Sequence, residues 1–66
     1  MKGIEPLIIV SISPSNNYWQ IVEFSRAPRY TRKMELENLG GFQTDVETIW
    51  NFPETVTREQ IERAIS

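Results

Sequence analysis

Hydrophobic and polar positions along this chain alternate in short stretches until the last nine residues, where the period lengthens to that of a helix. Leu7-Ile8-Ile9-Val10 is apolar on both alternating sides, as in a strand covered on each face, and it predicts a first strand over 4–13. Pro14-Ser15-Asn16-Asn17 predicts a turn, because Ser and Asn support reversals through their side chains and Pro14 cannot extend a paired strand. Over 18–25, Tyr18, Val22 and Phe24 fall on one side and Trp19 and Ile21 on the other, a second strand apolar on both faces.

After the break at Ala27-Pro28-Arg29, the positions Tyr30, Met34 and Leu36 alternate with Thr31, Lys33, Glu35 and Glu37, predicting a half-buried strand over 30–37. Asn38-Leu39-Gly40-Gly41 then reads as a turn. Phe42, Thr44, Val46, Thr48, Trp50 and Phe52 form an unbroken period-2 row, and 42–52 is read as a fourth strand. A helix there would begin with a capping box at Thr44 and Glu47, but the flanking Gln43 and Thr48 offer no apolar staple. Thr57 and Gln60 have capping-box spacing with Val56 and Ile61 at the staple positions, so a helix begins at Arg58 and presents Ile61, Ala64 and Ile65 as one stripe. The expected fold is α+β: one small domain over 1–66, a four-stranded antiparallel, meander-like sheet with one C-terminal helix packed on one face.

Length and composition change this picture in one respect. A chain of 66 residues buries only about 60% of its unfolded surface, and with no Cys and no His it has neither a disulfide nor an ordinary zinc site to supplement a small core. A second copy or a protein partner is the expected supplement. The absence of Cys and His also excludes a Ser-His-Asp triad, a Cys-His pair and imidazole acid/base chemistry. The apolar run 7–12 is too short for a membrane span, which needs about 20 residues, and the chain is expected to be cytoplasmic, with no membrane partner.

Charge is segregated along the chain. The segment 25–33 carries Arg26, Arg29, Arg32 and Lys33 and is net +4, whereas 34–66 is net −5 and the whole is −2. Arg26, Arg29, Tyr30, Arg32 and Lys33 have the ingredients of a single-stranded DNA or RNA surface, in which arginines meet phosphates and rings stack on bases. Four strands followed by a helix is similar in order to the dimeric single-strand DNA-binding domain of a transcriptional coactivator family, a likeness of topology that no motif supports. Glu35, Glu37, Asp45 and Glu47 would share one face of a hairpin turned at Gly40-Gly41, without a pocket to make them a metal or catalytic site.

A single short helix covers one face of a sheet whose first two strands are apolar on both. Strict alternation places Ile8, Val10, Val22 and Phe24 on one face and Leu7, Ile9, Trp19 and Ile21 on the other, and the latter four are the expected protein interface. Trp50 and Phe52 read as core. The function expected is that of a non-enzymatic protein-binding module (a small inhibitor, adaptor or accessory subunit) that forms a homodimer and needs no cofactor or metal. The alternative is a single-stranded nucleic-acid binder using 26–33.

Overall fold

The computed structural model describes residues 7–15 and 17–65. Residues 4–6 of the first predicted strand and Asn16 of the predicted turn lie outside them. Six elements follow one another: β1 (Ile9–Pro14), β2 (Trp19–Phe24), α1 (Tyr30–Asn38), β3 (Phe42–Gln43), β4 (Ile49–Pro53) and α2 (Arg58–Ile65). The strands form one antiparallel sheet in the order β1-β2-β4-β3. The α+β class, the four-stranded antiparallel sheet and the C-terminal helix are as the sequence predicts.

Two of the elements are not the predicted ones. Residues 30–38 are helical, so the half-buried strand expected at 30–37 is α1. The alternation there rested on three apolar residues, whereas Arg32, Lys33, Met34, Glu35 and Leu36 are all strong helix formers. The helix needs little apolar surface, because Leu36 alone is fully buried and Leu39 packs beside the core. Asn38-Leu39-Gly40-Gly41 ends this helix and does not join two strands. Gly40 takes φ +94, its N–H donates to the Glu37 carbonyl, and the Gly41 N–H reaches back to the Leu36 carbonyl, which is the Schellman arrangement. The second difference divides the row 42–52. Thr44 interrupts it: its hydroxyl accepts from the Val46 N–H at 3.1 Å and donates to the Ile49 carbonyl at 2.9 Å, folding 44–48 into the turn of a β3–β4 hairpin. One predicted strand thus becomes two, which restores the number lost to α1.

The chain therefore runs ββα twice, with β2 and β4 side by side at the centre, and a meander is replaced by two hairpins joined along their inner strands. Four strands before a single helix is not the order, so the topological likeness to the coactivator domain does not hold. Both helices pack on one face, where Ile9, Val22, Phe24, Leu36, Trp50, Phe52, Val56, Ile61 and Ile65 form the core. Trp50 and Phe52 are the expected core residues, their rings stacked at 6.0 Å. The Trp50 indole N–H is buried with no acceptor among the described residues. Gln20, on the same face, donates from Nε2 to the carbonyls of Pro53 and Val56 and ties β4 to the start of α2. The predicted capping box forms as read: the Thr57 N–H donates to Gln60 Oε1 at 2.8 Å and the Gln60 N–H to Thr57 Oγ1 at 3.1 Å, with Val56 and Ile61 both buried.

One local irregularity decides which side chains of β1 face the helices. Ile9 pairs with Phe24 and Ser11 with Glu23, so Val10 is an unpaired bulge residue and the alternation slips there. Ile9 and Ile12 consequently share the side of Phe24 and Val22, while Val10 is 60% exposed.

Candidate open-face interface

The helices leave the other face of the sheet open, and its side chains follow from the registers. Ser13 pairs with Ile21, Ile21 with Asn51, and Asn51 with Phe42, so these four form one row across all four strands. A row to one side holds Ser11, Glu23 and Ile49, and a row to the other holds Trp19 and Pro53. Alternation within each strand sets all three rows opposite the core residues Val22, Trp50 and Phe52.

The Trp19 and Phe42 rings meet edge to face at 5.3 Å and 73°, closing over β4 between Asn51 and Pro53. Phe42 is 48% and Ile21 37% exposed, so the patch presents ring and aliphatic surface to solvent. The polar side-chain groups of the face are the Ser11 and Ser13 hydroxyls, the Trp19 indole N–H, the Glu23 carboxylate and the Asn51 amide, none of which has a hydrogen-bond partner among the described residues.

The four residues expected to share an interface are divided by the Val10 bulge. Trp19 and Ile21 lie on the open face. Ile9 is buried beneath the helices and Leu7 packs against the core, because the slip in β1 turns them to the opposite side. Ile49, Asn51 and Phe42 complete the face instead. The signal for them was the parity of 42–52, legible only once the turn at Thr44 is placed.

The basic segment is divided as well. Arg26 lies past the end of β2, Arg29 is the N-cap residue of α1, and Tyr30, Arg32 and Lys33 are in that helix and not on an edge strand. Arg29 provides no side-chain cap and the first turn has no acidic residue, so these cations sit at the end of the helix dipole that disfavours them. Tyr30 is exposed beside them, whereas Trp19 and Phe42 lie at the far end of β2. The carboxylates do not assemble: Glu35 and Glu37 belong to α1, and Asp45 and Glu47 are exposed in the β3–β4 turn. Among the described residues no group of three or more acidic, His or Cys side chains is placed to hold a metal ion. No helix among them is long and apolar enough to cross a membrane. Between α1 and α2 runs an open groove of about 290 Å³, lined by Glu35, Asn38, Leu39, Gln60, Arg63 and Ala64; Arg63 is paired with Glu59 at its rim.

The arrangement defines a class, a two-layer sandwich with helices on one side and an open antiparallel sheet on the other. No family model, curated protein or solved structure matches the chain.

Proposed function

We propose that this chain is a non-catalytic protein-binding module, of the inhibitor, adaptor or accessory-subunit kind, that works through the open face of its sheet. The observation that carries this reading is the exposed row of Ile21, Asn51 and Phe42 with Trp19 beside it, an apolar surface the chain's own helices leave uncovered. Binding along the free edge of β1 is less well supported, since the Val10 bulge and Pro14 interrupt the ladder there, and both are devices that blunt edges. A cytoplasmic location belongs to the same reading and rests on a chain without cysteine.

Site-specific crosslinking tests it. A photoreactive phenylalanine at Phe42 is expected to capture a protein, whether another copy or a different chain, while the same probe at the exposed Glu59 of α2 captures none. Crosslinks from position 59 alone would move the interface to the helical side and overturn the reading, as would silence from both positions in the native host.

A further inference from the structure

Three unpartnered polar groups on the open face are arranged so that the face complements itself. We propose that its occupant is a second copy of this chain, docked sheet to sheet about a two-fold axis running along the row Ser13, Ile21, Asn51 and Phe42. The proposal rests on the open face being the interface and adds the identity of the partner and its orientation.

The argument starts from Asn51. It lies between Ile21 and Phe42, at the middle of an apolar row, and its amide has no partner among the described residues. Covering that face with an arbitrary apolar surface would strand the amide without a hydrogen-bond partner, which is costly. An amide carries both a carbonyl acceptor and an NH₂ donor, so it is its own complement. A two-fold axis along the row sets Asn51 against Asn51 of the second copy and lets the two exchange hydrogen bonds, much as a single buried Asn fixes register in a coiled coil.

The same axis exchanges the two flanking rows. Trp19 and Glu23 sit on the same strand, two residues to either side of Ile21, so the axis sets the Trp19 row of each copy against the Glu23 row of the other. Neither the indole N–H nor the carboxylate has a hydrogen-bond partner among the described residues. The axis also keeps the two Glu23 carboxylates apart, the only charges in the three rows. An axis along β2 would oppose them instead, and like charges face to face disfavour it. Ile49 meets Pro53 across the same exchange, and the rings of Trp19 and Phe42 fill the space of about 10 Å between two packed sheets.

Area sets the strength. Strands of six, six, five and two residues, at about 3.3 Å rise and about 4.8 Å spacing, give a plan area near 300 Å² before the relief of the rings is added. That is about half of the lower limit of specific interfaces, about 600 Å² per partner, so the dimer is expected to be weak and reversible.

Sedimentation equilibrium of the wild type and of Asn51→Asp, with the Trp19 indole resonance followed on dilution, tests this. The wild type is expected to approach twice the monomer mass at about 1 mM, the indole signal to move over the same range, and Asn51→Asp to weaken association at least tenfold by placing two carboxylates on the axis. Far-UV circular dichroism checks that the variant folds; should it not, the wild-type dilution shift still decides. A protein monomeric at about 1 mM would overturn the second copy and leave the open face to the crosslinking test. A dimer indifferent to Asn51→Asp, with an unmoved indole signal, would place the interface elsewhere and overturn both.

Discussion

Gly41 lies directly against the ring of Phe52: a Cβ built on it falls within 3.0 Å of Cδ1, Cε1 and Cζ. Phe52 is fully buried in the centre of the core and cannot swing aside without disturbing Trp50 stacked beside it. The Gly41 N–H also closes α1 by donating to Leu36, so the backbone has little freedom to retreat. Gly41→Ala is therefore expected to destabilise the fold by about 1–3 kcal/mol through overpacking. A fall in the denaturant midpoint at constant slope measures it; an unchanged midpoint would show that β3 shifts freely against β4.

Gly41 also shows why part of the fold was legible and part was not. Its partner Phe52, with Val22, Phe24 and Trp50, was readable as strand because each alternation ran through several apolar residues. The α2 start was readable because Thr57, Gln60, Val56 and Ile61 meet four positional requirements at once. Residues 30–38 meet none so specific: a helix that buries Leu36 and little else leaves almost no period in the sequence, and the Gly-Gly pair after it suits a hairpin turn and a helix stop equally. The Val10 bulge leaves no mark at all, because inserting one apolar residue into an apolar run keeps it apolar. That single slip is what removed Leu7 and Ile9 from the candidate interface while Trp19 and Ile21 stayed. The place of Asn51 is illegible in the sequence for a related reason, since it depends on two registers, with Ile21 and with Phe42.

Tyr18 occupies the left-handed region at φ +64, a conformation costing roughly 1–2 kcal/mol for a residue with a Cβ. The turn holds it there: the Tyr18 carbonyl accepts from the Glu54 N–H, and both the N–H and the hydroxyl of Ser15 donate to the Trp19 carbonyl. Tyr18 is 85% exposed and its ring gives the fold little in return. Tyr18→Gly relieves the strain and loses part of the gain to the freer unfolded chain, for a net stabilisation of about 0.5–1 kcal/mol, seen as a melting temperature a few degrees higher. A lower melting temperature would mean that the ring packs against its neighbours in solution.

The two helices differ at their N-termini in a way that stability measurements should expose. Thr57→Ala removes the acceptor for the Gln60 N–H and is expected to cost about 1 kcal/mol. Arg29 stands at the equivalent position of α1 with extended backbone (φ −74, ψ 166) and no side-chain cap. Arg29→Asp supplies a capping oxygen and a negative charge at the positive end of the helix dipole, and should add about 0.5–1 kcal/mol. Denaturation of the pair checks both signs; a loss on Arg29→Asp would mean that the guanidinium holds a contact of greater value than a cap.

Nucleic-acid binding requires stacking rings and phosphate-binding cations along one path, and here they are separated. Trp19 and Phe24 mark the two ends of β2, about 17 Å apart at strand rise, and Arg26 and Arg29 lie beyond Phe24. Trp19 and Phe42 therefore stand at the opposite end from the basic segment, and among the described strand residues the one charge on their face is the carboxylate of Glu23. Tyr30 alone accompanies Arg32 and Lys33, on a short helix whose groove with α2 is lined by none of the three. Fluorescence anisotropy with labelled single-stranded DNA and RNA is expected to show no saturable binding at physiological salt, and at low salt only weak attraction that vanishes as ionic strength rises. Micromolar binding at physiological salt, reduced by Arg29→Ala and Arg32→Ala and indifferent to Trp19→Asp, would give the basic segment a role that the open face does not share. The opposite sensitivity, to Trp19→Asp alone, would mean that bases stack on the sheet without phosphate contacts.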